Sequence, residues 1–216
     1  MRINKFVAQA TGLSRRTVDA AITEGRVTVN NFVAVAGQQV EVSDLVMLDK
    51  RPITPPVKTL TIILNKPVGY VVSRDGQGSP TIYELLPEEY QSLKPVGRLD
   101  KDSSGLLLLT NDGQLAHELT HPSFQKEKVY EVELNKSLQS ADRDAIESGV
   151  ELEDGKSSLS LSGEGATWTV TMHEGRNRQI RRTFASRGYK VTNLHRIQFG
   201  KYTLTASLDV GKIASL

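Results

Sequence analysis

The sequence predicts an α+β protein in which a small helical hairpin with a sheet is linked to a larger domain with a mainly antiparallel sheet. Three observations lead to this prediction. Residues 1–49 combine two short amphipathic helices with alternating strands, and residues 50–59 contain three prolines without apolar periodicity. Residues 60–216 supply short strands broken by glycine and proline, with a few short helices. We therefore expect a small domain at 1–49, a linker at 50–59 and an α+β domain at 60–216.

The two N-terminal helices are predicted from apolar residues at helical spacing. In the first helix these residues are Ile3, Phe6, Val7 and Ala10. In the second helix they are Val18, Ala21 and Ile22. Gly12 is expected to end the first helix, because glycine readily adopts the left-handed conformation found there. Ser14 is expected to cap the second helix and Gly25 to stop it.

Alternating stretches predict the strands of the small domain. VTVNNFVAVAG predicts two strands around the turn Asn30-Asn31, since asparagine tolerates a left-handed turn. VEVSDLVMLD predicts a further strand or pair of strands, which closes the small domain near Asp49.

The larger domain opens with TIILNKPVGYVV, which predicts a strand, a loop at Lys66-Pro67 and a second strand. GLLLLTNDG is typical of a buried strand that ends in a turn, and KVYEVEL alternates like a half-buried strand. SLSLSGEGATWTVTM predicts a hairpin. A basic helix is expected from Arg178 to Arg187, stopped by Gly188.

The overall composition is that of an ordinary globular protein. Of the 216 residues, 38% are hydrophobic and 24% are charged, and no apolar run approaches the roughly 18 residues of a membrane span. The first residues lack the apolar stretch of a secretion signal, and there is no cysteine for a disulfide or a thiolate metal site. We expect a cytoplasmic monomer that binds no membrane and no metal.

The distribution of charge indicates a polyanionic partner more clearly than the net charge of +2 does. Residues 2–26 hold five cationic side chains against two carboxylates, and residues 174–190 hold six against one. The residues that we predict to contact RNA from these two patches are Arg2, Lys5, Arg15, Arg16, Arg176 and Arg182. The alternative is that both patches are simply solvated faces, and charge alone leaves the two interpretations equally open.

The segment GRLDKDSSG, followed by a buried strand, is the richest in chemically active groups. A carboxylate here could act as a nucleophile or base, with Arg98 beside it to hold a substrate phosphate or a displaced base. Alternatively, Asp102 and Ser103 cap a turn while Asp100 pairs with a nearby lysine. A third interpretation makes Asp100 and Asp102 metal ligands, although two carboxylates without further acidic neighbours are a weak set.

The stretch HELTH, residues 117–121, matches the H-E-x-x-H pattern of zinc peptidases. That pattern requires both histidines on one face of a helix. Pro122 disfavours the helical conformation at His121, so the helix is expected to end there and to leave His121 a poorly fixed ligand. A zinc peptidase is therefore a remote alternative function.

Several long motifs in one order resemble the family of ribosomal RNA pseudouridine synthases that comprises the RsuA, RluB, RluE and RluF group. GRLDKDSSGLLLLTNDG is similar to the central motif of that family. The other similar stretches, in order, are LNKPVG, KVYEV, HEGRNRQIRR and NLHRIQFG. NKFVAQATGLSRR and GRVTVN resemble an S4-type RNA-binding domain. The resemblance covers nearly the whole chain and implies isomerisation of uridine in ribosomal RNA, with a leaning toward the large subunit.

The resemblance also implies roles for individual residues. Asp100 would be the essential aspartate, Tyr130 would stack on the target uracil, and Arg181 would pair with Asp100 and keep it ionised. Arg98 would act in extrusion of the base and Leu194 would form an apolar wall of the pocket. Lys128 and Arg178, from the same motifs, are further predicted substrate contacts.

The implied reaction needs no redox step and no phosphate energy, so no cofactor is expected. The expected partner is ribosomal RNA in a loop or stem-loop, because extrusion of a base costs least where stacking is already incomplete. The main rival is a non-catalytic S4-type RNA-binding or ribosome-assembly protein. The joint presence of Asp100, Tyr130 and Arg181 argues against that rival.

Overall fold

The computed structural model describes residues 1–41, 43–54 and 59–216 of the chain. It divides into two compact units, Met1–Thr59 and Leu60–Leu216. Each unit has its own hydrophobic core.

The first unit begins with helices α1 (Ile3–Thr11) and α2 (Arg15–Thr23). Both predicted ends are confirmed: Gly12 is left-handed, with φ 76°, and the Ser14 side chain accepts a hydrogen bond from the Thr17 amide. The inner face of α1 differs slightly from the prediction. Ala8 is buried and Ala10 is only half-buried.

A four-stranded antiparallel sheet completes the first unit. Its strands are β1 (Val27–Val29), β2 (Phe32–Val33), β3 (Val46–Leu48) and β4 (Arg51–Ile53), in the order β2-β1-β3-β4. Asn30 and Asn31 both have positive φ, as the predicted tight turn requires.

The predicted linker begins too early. Strand β4 lies inside residues 50–59 and pairs with β3, and Pro52 is opposite Met47. Proline is tolerated there because β4 is an edge strand, where a missing amide hydrogen removes no required bond. Residues 55–58 of the predicted linker lie outside the described part of the chain.

The second unit contains a nine-stranded sheet, three helices and a separate two-stranded ribbon. In chain order its elements are β5 (Thr61–Lys66), β6 (Lys94–Pro95), β7 (Ser104–Thr110), α3 (Gly113–Thr120), β8 (Lys128–Leu134), α4 (Ser140–Ser148), β9 (Val150–Leu152), β10 (Gly155–Ser157), β11 (Ser160–Glu164), β12 (Thr167–Met172), α5 (Gln179–Ala185), β13 (Val191–Phe199), β14 (Tyr202–Thr203) and β15 (Ile213–Ser215). The sheet order is β11-β12-β8-β13-β7-β5-β15, with β14 beside β13 and β6 beside β7; β9 and β10 form the ribbon. Among the described strands only β13 and β7 pair in parallel, so the predicted α+β class with a mainly antiparallel sheet is confirmed.

Strand β7 lies at the centre of the sheet and positions the turn that precedes it. Four consecutive leucines, Leu106 to Leu109, are fully buried and point alternately into two hydrophobic clusters on the two faces of the sheet. The residues immediately before β7 are therefore attached to a strand that is packed on both faces.

Two predicted elements of the second unit differ from the structure. After Lys66-Pro67 the expected second strand is reduced to a single bridge between Val71 and Thr81, because the intervening residues form turns. The basic helix begins at Gln179 because Arg178 adopts a left-handed conformation, with φ 47°, and it ends at Ala185.

Candidate active site

A cleft of about 480 Å³ lies beside the start of β7. Its walls come from the turn before β7, the end of α3, the first residues of β8, the segment between β12 and α5, and strand β13. The predicted site residues that line this cleft are Arg98, Asp100, Lys128, Tyr130, Arg176, Arg178 and Leu194. The fold therefore brings together motifs that are nearly 100 residues apart in the chain.

Asp100 lies in the turn that leads into β7. Leu99 is buried beneath it, and the Ser103 amide donates a hydrogen bond to the Asp100 carbonyl at 3.1 Å. The Asp100 side chain is 38% exposed and remains accessible from the cleft. The backbone of this residue is thus fixed while its carboxylate stays available to a substrate.

Lys66 holds this turn from below, a role that the sequence reasoning missed. Its side chain is fully buried, and its ammonium group donates hydrogen bonds to the carbonyls of Pro67 (3.0 Å), Asp100 (3.0 Å) and Ser103 (2.7 Å). Burial lowers the pKa of Lys66 to about 8, against the opposing effect of the carboxylates of Asp100 and Asp102. The available signal was its place in LNKPVG, where lysine ends an otherwise apolar strand.

Asp102 organises the arginines next to Asp100. Arg178 donates to both of its carboxylate oxygens, at 2.9 and 2.8 Å, and lies 3.7 Å from the Asp100 carboxylate. The Arg178 hydrogen bonds hold the pKa of Asp102 below its usual value, assisted by the charge of Arg181. Arg178, not Arg181, is the arginine nearest to the Asp100 carboxylate.

The predicted pairing of Arg181 with Asp100 is therefore wrong for this structure. Arg181 donates to the Val191 carbonyl at 2.9 Å and to the Asp102 carbonyl at 2.7 Å, and its Nε lies 3.3 Å from the Asp102 carboxylate. These anchors direct the guanidinium to Asp102. Burial lowers the pKa of Arg181, an effect that the carboxylates of Asp102 and Asp100 partly offset and the charge of Arg178 adds to.

The floor of the cleft is formed by strands β8 and β13. Tyr130 on β8 and Leu194 on β13 are both buried and both line the cleft. Arg196 on β13 lies opposite Tyr130 in the strand register. Lys128 donates weakly, at 3.3 Å, to the carbonyls of Lys126 and Glu174. An aromatic ring and an aliphatic wall beside a carboxylate are suited to holding a planar base.

Two arginines that were predicted to contact RNA, Arg176 and Arg182, instead pair with an acidic residue from another part of the chain. Arg182 donates to both oxygens of Asp154, at 3.0 and 2.7 Å, and Arg176 donates to the same carboxylate at 2.9 Å. Arg187 similarly pairs with Asp142. The basic patch counted over residues 174–190 is therefore largely neutralised by carboxylates that the fold brings to it.

Four of the five cations counted in residues 2–26 behave differently, whereas the fifth, Arg26, pairs with Asp49 and Glu24. Arg2, Arg15 and Arg16 are exposed and Lys5 is half-buried. Arg15 donates to the Asn4 side chain at 3.0 Å. Within the described residues, no carboxylate lies within 4.0 Å of any of these four cationic groups.

HELTH does not have the geometry of a helical metal motif. Helix α3 ends at Thr120, and His121 has an extended conformation with φ −73° and ψ 129°, which confirms the predicted effect of Pro122. The His121 ring instead contacts Ser123, and Glu118 accepts a hydrogen bond from Gln114. The described ranges contain no group of three potential metal-ligating side chains.

Comparison with known proteins identifies both units. Residues 60–186 match the RNA pseudouridylate synthase family and residues 1–46 match the S4 domain. An uncharacterized RNA pseudouridine synthase of Aquifex aeolicus is 38% identical over 98% of this chain and 88% of its own length. A crystal structure of a pseudouridylate synthase aligns with a TM-score of 0.73 at 33% identity, over 100% of this chain and 96% of the other.

Two further relatives carry the names of ribosomal enzymes. Ribosomal large subunit pseudouridine synthase B of Pseudomonas aeruginosa is 37% identical over 98% of this chain, which spans 58% of that protein. Ribosomal small subunit pseudouridine synthase A of Pasteurella multocida is 34% identical over 100% of this chain and 96% of its own length.

The chain belongs to the RNA pseudouridylate synthase family and carries an S4 domain at its N-terminal end. No helix in residues 1–41, 43–54 and 59–216 is long and apolar enough to cross a membrane.

Proposed function

We propose that this protein isomerises a uridine of ribosomal RNA to pseudouridine, with Asp100 as the essential carboxylate. The observation that carries this proposal is the position of Asp100, an accessible carboxylate on a backbone anchored by Lys66, at a cleft floored by Tyr130 and Leu194. The ribosomal names of the Pseudomonas and Pasteurella relatives support the substrate class.

The reaction requires the bond between N1 of uracil and C1′ of ribose to break and a bond between C5 and C1′ to form. The proton on C5 is lost and N1 gains one, so the conversion is redox-neutral and requires no cofactor. Asp100 is suited to react with, or remove a proton from, the nucleotide while the uracil is detached. Tyr130 and Leu194 would hold the ring during its rotation, since stacking replaces the contacts that an extruded base loses.

Arg178 takes the role that was predicted for Arg181. It is the nearest arginine to the Asp100 carboxylate, and its grip on Asp102 holds it in place. The ionised carboxylate is the form required of a nucleophile or base, and a cation 3.7 Å away can orient it toward the substrate. Arg181 would act through Asp102 as a positioning residue.

The S4 domain would dock the RNA through Arg2, Lys5, Arg15 and Arg16. Side chains of this kind contact phosphates and give affinity without reading the base sequence. We place the target in a loop or stem-loop of the large-subunit RNA, in line with the name of the Pseudomonas relative; the small-subunit enzyme of Pasteurella marks the alternative.

Mapping pseudouridines in ribosomal RNA, with and without the gene, tests the proposal. We expect one or more modified positions to revert to uridine on deletion and to return with the parent gene. Asp100→Asn should not restore them, although its RNA affinity should stay within about tenfold, because most affinity comes from phosphate contacts.

Asp209→Asn, an exposed carboxylate outside the cleft, serves as the matched control and should restore every position. If deletion changes no position in either subunit, the chain is a non-catalytic RNA-binding protein, the rival function. If Asp100→Asn restores the modification, the essential carboxylate is another residue.

A further inference from the structure

The cleft contains a buried arginine that the proposed reaction does not use. Arg196 lies in β13 between Gly105 of β7 and Tyr130 of β8, and it is only 2% exposed. Its Nε donates to the Leu106 carbonyl at 2.8 Å. Its Nη2 is buried and has no hydrogen-bond partner within the described residues, although the residue lines the cleft.

A second cation converges on the same place. The Arg196 guanidinium lies 4.8 Å from the centre of the Phe199 ring, and the Lys128 ammonium lies 5.3 Å from the same centre. Burial lowers the pKa of Lys128 and the charge of Arg196 lowers it further, against the opposing effect of Glu174. The two side chains therefore repel each other across one aromatic ring.

Neither cation forms an ion pair in the described part of the chain, although the charge of Glu174 acts on Lys128 from farther away. Within the described residues, no carboxylate lies within 4.0 Å of Arg196 or Lys128. Contact with the Phe199 ring offsets only part of the cost of removing two charges from water. An arrangement that is unfavourable for the free protein, but open to a cleft, is typical of a binding site.

We propose that Arg196 and Lys128 form a phosphate-binding site that holds the phosphodiester next to the target uridine. One phosphodiester supplies a negative charge between the two cations. Its oxygens can accept hydrogen bonds from the Arg196 Nη2 and from the Lys128 ammonium group. A phosphodiester offsets one of the two charges, whereas a neutral uracil carbonyl would leave both uncompensated. The inference rests on the proposed function, because it takes RNA as the ligand of this cleft.

The RNA test uses the full chain and a stem-loop that contains the mapped uridine. Arg196→Gln and Lys128→Gln should each weaken binding about tenfold or more and make the salt dependence shallower by about one unit. A neutral methylphosphonate at the phosphate on either side of the uridine should weaken binding to the parent. At the phosphate that Arg196 and Lys128 hold, the methylphosphonate should not weaken RNA binding to Arg196→Gln any further. Losses that add independently at both phosphates would overturn the proposal.

A second measurement separates this proposal from failure of the proposed function, because it needs no RNA substrate. Inorganic phosphate, compared with chloride at equal ionic strength, should raise the Tm of the parent but not that of Arg196→Gln or Lys128→Gln. The exposed Lys201→Gln is the control and should respond like the parent. An equal response in all four proteins, or none in the parent, would count against the site.

The stability of the free variant tests a structural role. Lys128→Gln should keep or raise the Tm without phosphate, because it removes a half-buried charge that Arg196 repels. If Lys128 served only to stabilise the fold, this variant would lower the Tm and leave RNA affinity unchanged.

Discussion

The two basic regions of this chain look alike in the sequence and differ in the structure. In the S4 domain Arg15 and Arg16 are exposed and have no carboxylate partner within the described residues. In the synthase domain five arginines between residues 176 and 187 all pair with carboxylates, which are Asp100, Asp102, Asp142, Asp154 and Glu174.

A run of positive charge in a sequence can therefore have either of two physical roles. Unpaired, exposed arginines are free to exchange counterions for RNA phosphates, and they give affinity that depends strongly on salt. Arginines that hold carboxylates through two hydrogen bonds fix the geometry of their neighbours. We infer that the first region binds RNA and that the second mainly shapes the cleft around Asp100.

Apart from Asp100→Asn, Asp102→Asn should cause the largest loss of kcat. It removes the carboxylate shared by two arginines of the synthase domain, which then resemble the unpaired arginines of the S4 domain. Arg178 and Arg181 would lose their common carboxylate, and Arg178 would no longer be held beside Asp100. We expect kcat to fall roughly 100-fold, which corresponds to about 3 kcal/mol of transition-state stabilisation. RNA affinity should not weaken, since two cations are released, and its salt dependence should become steeper.

Asp154→Asn is the matched control for that variant. It also removes a carboxylate shared by two arginines, Arg176 and Arg182, but this carboxylate does not line the cleft and Arg176 keeps Glu174 as a partner. Its effect on RNA affinity should resemble that of Asp102→Asn, with kcat nearly unchanged. Single-turnover rates and binding isotherms for both variants measure the contrast, and an equal loss of kcat in both would break it.

Lys66→Met should lower kcat by an intermediate amount. Unlike the arginines of both regions, Lys66 binds backbone carbonyls and not carboxylates or phosphates. Without the ammonium group, the carbonyls of Asp100 and Ser103 lose a donor, and the turn that carries the carboxylate loosens. We expect kcat to fall about tenfold with little change in RNA affinity, because Lys66 is fully buried. Lys101→Met, at an exposed neighbour whose ammonium group donates to the Ser79 hydroxyl, should leave kcat unchanged.

Stability at alkaline pH provides a second measurement on the same variant. The pKa of Lys66 is about 8 in the folded protein and near 10.5 in an unfolded chain, so the unfolded chain binds the proton first as pH falls. As pH falls from 10.5 to about 8, the contribution of Lys66 to the free energy of unfolding therefore decreases. Urea unfolding of the parent should show this decrease relative to Lys66→Met, and parallel pH profiles would contradict the shift.

The sequence predicted the features that depend on local patterns. The run of leucines in β7, the Ser14 cap and the break at Pro122 each depend on a few neighbouring residues, and all three are confirmed. Strand β4 was missed because its proline was interpreted as a linker signal, whereas an edge strand tolerates it.

The arrangement of the site could not be predicted in the same way, because it depends on contacts between distant residues. Arg178 and Asp102 are 76 positions apart, and Arg182 and Asp154 are 28 apart. A charge count over one segment omits such partners, which is why Arg176 and Arg182 were expected to contact RNA. The buried position of Lys66 was hidden for the same reason, since its acceptors at Asp100 and Ser103 come from another motif.

The smallest expected effect compares arginines from the two regions directly. Arg15→Met combined with Arg16→Met should make the salt dependence of RNA binding shallower by up to about two units, because two exposed phosphate contacts are lost. The Tm should stay unchanged, since neither residue has a carboxylate partner in the described part of the chain.

Arg182→Met should show the opposite pattern. Its bidentate pair with Asp154 is partly exposed and screened by solvent, so its loss should lower the Tm only slightly, with the salt dependence unmoved. Thermal unfolding and binding titrations at several salt concentrations measure both quantities. If Arg182→Met flattens the salt dependence by a full unit, this arginine leaves Asp154 for an RNA phosphate, and the division between the two regions fails at that residue.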